Sequence, residues 1–214
     1  MITRKFSDYA TAALVAMSLV VPGCAKKASD VVPSQNPPSP IQGLYNVRQG
    51  IDRVLFDYGN TVLVVGDQAP SSDVLCGVDI ASRLQSEHTA LTGSAQGLTA
   101  KLASEVGSPA YDKNMIVIGK AQDNVLADLL RSSRSAQDRP LPSTGTGVIE
   151  CYQFANGNVA IVVTAQDSSD IRKAGRAVAQ YDHVVNGQPI DLNGKVIHVQ
   201  GTSLNDVQTT VHQP

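Results

Sequence analysis

The amino-acid sequence predicts an α/β fold: a three-layer Rossmann-like sandwich around a mostly parallel sheet, with one antiparallel hairpin. Three observations predict it. Three apolar runs, TVLVV at 61–65, NMIVI at 114–118 and NVAIVV at 158–163, are each followed by a polar loop and an amphipathic stretch. Strands apolar along their whole length are those covered on both faces, and strands alternating with helices pair in parallel through right-handed crossovers. The run VIECYQF at 148–154 leads through Ala155-Asn156-Gly157-Asn158 into the third strand. Asn-Gly between two strand-like segments is a hairpin signal.

Taken in order, the chain opens with Arg4 and Lys5, an apolar run over 10–21, and Val21-Pro22-Gly23-Cys24. This is the layout of an export signal, and the run is well short of the roughly 20 residues that span a bilayer. Its end resembles the lipobox of lipoprotein signal peptides, which implies cleavage after residue 23 and lipidation of Cys24. The bland alternative is an ordinary secretory signal or a signal anchor. Residues 24–42 then form a tether: AKKASDVVPSQNPPSP mixes charge, Ser and four prolines with few large apolar groups, a composition that stays solvated and extended.

The globular domain is expected over 43–201. Leu44, Val47, Ile51, Val54 and Leu55 suggest a first helix, although residues 53–65 also read as a hairpin turning at Gly59-Asn60. The helix after the first core strand takes Val74, Val78, Ala81 and Leu84 as its apolar face, and the last helix takes Ile171, Ala174, Val178 and Tyr181. Ser71, Asp123 and Ser168 stand where N-caps belong, with Asp73 and Asp170 favouring the positive ends of their helix dipoles. Residues 188–200 carry Asn193-Gly194 and read as a second hairpin; residues 202–214 are polar and expected to be a flexible tail. With Cys24 assigned to lipid, Cys76 and Cys151 are an even pair outside the cytosol. They read either as a disulfide or as two buried thiols.

The composition narrows the function. Seventeen basic and nineteen acidic residues leave a formal charge of −2, and there is no Trp, three Phe and six Tyr in 214 residues. Neither a cationic surface nor base-stacking platforms are on offer, so nucleic acid is not an expected partner. Gly66-Asp67-Gln68-Ala69-Pro70 keeps one glycine of a dinucleotide fingerprint and places an acid and a proline where a phosphate would bind. Gly119-Lys120 lacks the rest of a P-loop. His88, His183, His198 and His212 show no metal-ligand spacing, and Ser71, Ser72, Ser168 and Ser169 lack a nucleophile elbow. Cys76 in a first helical turn is a poor nucleophile candidate. No catalytic residue, metal ligand or cofactor is therefore expected.

The succession from VLVVG through NMIVIGKAQDNVLADLL to GVIECYQFANGNVAIVVTAQDSSDIRKAGRAVAQYDHV resembles the α/β module of archaeal S-layer proteins. The likeness covers residues 61–201. It lies in a strand ending in glycine, an Asn before a short helix, a hairpin into an apolar strand, a helix opening Asp170-Ile171-Arg172, and the closing LNGKV at 192–196. The resemblance implies a structural role at the cell surface with no cofactor. Together with the leader it leads to the expectation of an exported, lipid-anchored, non-catalytic protein facing the cell surface or periplasm. It would touch the membrane through its N-terminal lipid and act on other envelope or surface-layer proteins, self-association included. The alternative is an envelope lipoprotein holding a small ligand at the C-terminal ends of the parallel strands, where Asp67, Gln68, Thr164, Gln166 and Asp167 would form the ligand loops.

Overall fold

The structure, a computed structural model, describes residues 40–106, 111–185 and 187–213. The export signal, Cys24 and the tether up to residue 39 lie outside these. The described residues all fall within one compact unit. Its elements are β1 (Ile41–Tyr45), α1 (Val47–Phe56), β2 (Thr61–Val65), α2 (Ser71–Thr92), β3 (Thr99–Leu102), β4 (Asn114–Ile118), α3 (Val125–Ser132), β5 (Gly147–Phe154), β6 (Val159–Ala165), α4 (Ser168–Ala179), β7 (Val184–Val185), β8 (Gln188–Pro189), β9 (Val196–Gln200) and β10 (Gln208–His212). Among the described residues no helix is long and apolar enough to cross a membrane.

The fold is mixed α/β, and the centre of its sheet is parallel. Strands run in the order β10-β9-β5-β6-β4-β2-β3, with β1 paired to β5. The ladders among β3, β2, β4 and β6 are parallel. Those joining β5 to β6, β9 and β1, and β9 to β10, are antiparallel. The antiparallel part thus extends beyond the β5–β6 hairpin to β1, β9 and β10. That hairpin turns at Gly157, whose φ of 85° suits glycine, and Phe154 N–H donates to Asn158 O at 2.9 Å. A separate two-stranded sheet joins β7 and β8.

Alternation along the strands divides the core. Leu63, Ile116, Ile118, Ile149, Ile161 and Val163 pack with apolar residues of α1, α2 and α4. Val62, Val64, Met115, Val117, Tyr152, Ala160 and Val162 pack with Leu126, Ala127 and Leu130 of α3. Three helices therefore cover one cluster of side chains and a single short helix the other. This asymmetry leaves the α3 side of the antiparallel strands without a helix of its own.

Several local readings change. The α1 region is a helix, capped by the Asn46 side chain accepting from Gln49 N–H at 3.0 Å, and not a 53–65 hairpin. Its start is tied to the turn before β9 by Val47 N–H to Gly194 O at 2.7 Å. The buried face of α2 is Asp73, Cys76, Gly77, Ile80, Leu84 and His88, whereas Val74 and Val78 are exposed. Cys76 and Gly77 are small enough to bring the helix close, so the stripe rotates toward them. Asn124, rather than Asp123, caps α3, its Oδ1 accepting from Leu126 and Ala127 N–H. Pro70 and Asp167 precede α2 and α4 with no side-chain cap bond.

Residues 188–200 do not form one hairpin. Their ends join different sheets, β8 with β7 and β9 with β5 and β10. The stretch expected as a flexible tail over 202–214 instead supplies β10. The Asp206 carboxylate organises the β9–β10 connection, accepting from Thr202 N–H at 3.0 Å and Ser203 N–H at 2.6 Å. Those bonds, led by the Thr202 hydroxyl, pull its pKa down to about 2. β1 and β3 are further strands; β1 begins within the stretch assigned to the tether.

Candidate functional site: strand-end loops and a recess beside α3

The strand-end loops are occupied with one another. A Cβ on Gly66 would strike the carbonyl oxygen of Asp123, so this glycine lets the segment before α3 cross the end of β2. Packing alone explains it, with no phosphate needed. Asp67 is turned to the far side, accepting from Ser104 N–H at 3.2 Å and from the Ser104 hydroxyl. Gln68 is exposed. Thr164 is buried on β6, and Gln166 Nε2 donates to Leu141 O at 3.4 Å. Asp167 O accepts from Asp170 and Ile171 N–H, each at 3.1 Å. Asp67, Gln166 and Asp167 thus serve different neighbours, while Gln68 is exposed and the buried Thr164 hydroxyl has no hydrogen-bond partner among the described residues.

Cys76 and Cys151 are free, buried thiols in the structure, the second of the two arrangements open from the sequence. Each lies under a glycine of a different helix. A Cβ on Gly175 of α4 would collide with Cys76 Sγ, and one on Gly50 of α1 would come within 2.5 Å of Cys151 Sγ. Burial pushes both thiol pKa values far up, with Asp73 and Asp79 adding to the rise at Cys76. Neither sulfur is poised as a nucleophile. Asp73, in the first turn of α2, is also fully buried, and desolvation raises its carboxyl pKa against the hydrogen bonds of Ser168 and Ser72.

The most concentrated chemistry lies on the other side of the sheet. Glu150 on β5 faces the α3 side and has no solvent exposure. Its Oε2 accepts from Arg131 Nε at 3.2 Å and from the Tyr152 hydroxyl at 2.7 Å, and its Oε1 pairs with Arg134 Nη1. Burial and then the Glu150 charge push the Tyr152 phenol well above its ordinary range. Arg131 sits in the last turn of α3, where a cation also suits the helix dipole. Arg131 Nη2 donates to Arg139 O at 2.6 Å, and Arg139 reaches back to Arg134 O and Ser132 O. The segment after α3 is thus bound down as an arm.

Between this arm and the β5, β9 and β10 strands is a recess of about 190 Å³. His198 and His212, from paired strands, stack at its edge with centroids 4.7 Å apart. Burial first, and then His212, lower the His198 pKa, so its imidazole is neutral near pH 7. His88 has a different task, stacking on Tyr58 at 4.6 Å and bonding Leu55 O through Nδ1 at 3.1 Å. Among the described residues no group of three or more His, Cys, Asp or Glu side chains is placed to hold a metal ion.

Sequence reasoning missed this site for identifiable reasons. Glu150 alternates with apolar neighbours in VIECYQF, the pattern of a strand face open to water, and its arginines stand at the end of a short helix where surface cations are ordinary. The β9–β10 pairing that unites His198 with His212 was hidden by the polar composition of 202–214. Comparison of the sequence with family models and with curated proteins finds no match.

Proposed function

We propose that this chain is a non-catalytic domain of the cell envelope, exported and lipid-tethered through Cys24, that works by contact with other envelope or surface-layer proteins or with copies of itself. The observation that carries this reading is a patch on α2. Val74, Leu75 and Val78 are 44%, 47% and 52% exposed, and their spacing puts them on adjoining turns of one helix face. Apolar side chains gathered in this way favour a protein partner over isolated solvent exposure. The occupied strand-end loops point the same way, because they hold the domain together. Helices lie against both sets of strand side chains, which supports reading the fold as a three-layer Rossmann-like arrangement, and one module suits a small tethered protein better than a lattice former.

Two experiments test the reading. Labelling with a radioactive fatty acid should mark the wild-type chain and not Cys24→Ser; equal labelling in both would remove the anchor. Cross-linking on intact cells should yield a discrete adduct that Val78→Asp weakens while leaving thermal stability within about 0.5 kcal/mol, as surface changes ordinarily do. An adduct indifferent to Val78→Asp would sink the α2 contact.

A further inference from the structure

We propose that the recess between the arm following α3 and strands β5, β9 and β10 binds a small monocarboxylate, seated on Arg134. The inference is independent of the envelope role. The Arg134 side chain is 6% exposed and lines the recess, and its Nε is buried with no hydrogen-bond partner among the described residues. A buried guanidinium donor without a partner is costly, and a carboxylate is the acceptor whose planar geometry suits it. Glu150 does not fill this role, since it already receives Arg134 Nη1, Arg131 Nε and the Tyr152 hydroxyl.

Charge and size narrow the ligand. Facing the recess are Arg131 and Arg134 from the α3 side, Glu150 from β5, Asp138 from the arm, and His198 and His212 from β9 and β10. Among the arginines and carboxylates alone, two cations meet two carboxylates. The attraction therefore comes from the unsatisfied donor and not from net charge, which favours a monoanion over a phosphate dianion. Asp138 is itself partly engaged, accepting from the Ser135 hydroxyl at 2.7 Å. The walls also include Leu141, Val148 and Val196, so an apolar body can lie beside the carboxylate. At about 190 Å³ the space modestly exceeds the roughly 150 Å³ cavity that admits benzene. One ring or a short branched chain fits. An anion seated near His198 favours its protonated form, so affinity rises as pH falls toward the His198 pKa.

The test titrates the full-length chain in detergent with benzoate, following the arginine Nε–Hε resonances and the heat of binding. Benzyl alcohol and inorganic phosphate serve as the uncharged and dianionic comparisons. Benzoate should shift the Arg134 resonance saturably and bind at least about tenfold more tightly than either comparison, the worth of one charge-assisted hydrogen bond. Its affinity should increase as pH falls below the ordinary histidine range in wild type, and less so in His198→Asn. Arg134→Lys keeps the positive charge but lacks Nε, and should lose about tenfold or more in affinity. If that variant does not fold, the wild-type resonance and the three-ligand comparison decide. Absence of a saturable benzoate shift, equal binding of benzyl alcohol, tighter binding of phosphate, or full affinity in a folded Arg134→Lys would each overturn the assignment.

Discussion

Glu150→Ala is expected to destabilise the domain by about 3–5 kcal/mol, because it strands two buried guanidinium groups and a buried phenol in one step. Arg131 and Arg134 have side-chain exposures of 9% and 6% against 0% for Glu150, so both guanidinium groups lose their acceptor where water reaches them only from the adjoining recess. Glu150→Gln retains an acceptor for one arginine and the Tyr152 hydroxyl, and should lose less than the alanine variant. The cost belongs to breaking the cluster and not to its net value, since removing all the charges together in favour of apolar residues of like volume can be nearly neutral. Urea unfolding measures it: the midpoint should fall while the denaturant slope stays constant. A loss under about 1 kcal/mol would mean that the arm opens and hydrates the arginines, making the cluster a surface one.

The distance between this cluster and what the sequence displays shows where reading from residues stops. The strand–helix units were legible because β2, β4 and β6 are buried on both faces and must be apolar throughout. The β5–β6 hairpin was legible because Asn156-Gly157 suits its turn. The edges were harder. β3 is largely exposed, and β10 alternates exposed and half-buried residues, so neither contains an apolar run. The face of α2 was misplaced in its first turns because Val74 and Val78 continue the stripe of Ala81 and Leu84 onto positions that the fold leaves outside, while Cys76 and Gly77 matter through small size, which hydropathy does not weigh. The recess was invisible for a deeper reason: its polar groups come from α3, the arm, β5, β9 and β10, and only the sheet order brings them together.

Small size carries the second large effect, expected at the α2–α4 contact. Gly175→Ala puts a methyl group where Cys76 Sγ already sits, with Cys76 Cβ and Ile80 Cδ1 each 3.5 Å away. Overpacking of this kind costs about 1–3 kcal/mol, partly offset by the roughly 1 kcal/mol that alanine gains over glycine within a helix. The sulfur cannot simply swing aside, because it is enclosed and lies 3.6 Å from Ile171 O. Cys76→Ala alone should also destabilise, by leaving a void under Gly175. Combined, the two lesions should cancel in part: the methyl on residue 175 occupies the volume vacated by the sulfur, so the double variant is expected to be more stable than Gly175→Ala. A double-mutant cycle in urea should give a favourable coupling of about 1–2 kcal/mol. Cys151→Ala is the discriminating control. Cys151 lies under Gly50 of α1, so its removal should not rescue Gly175→Ala, whereas it should rescue Gly50→Ala by the same logic. Strict additivity between Cys76→Ala and Gly175→Ala would show that α2 and α4 separate freely. The pairing of a glycine with a buried thiol would then have no part in fixing how closely these helices pack.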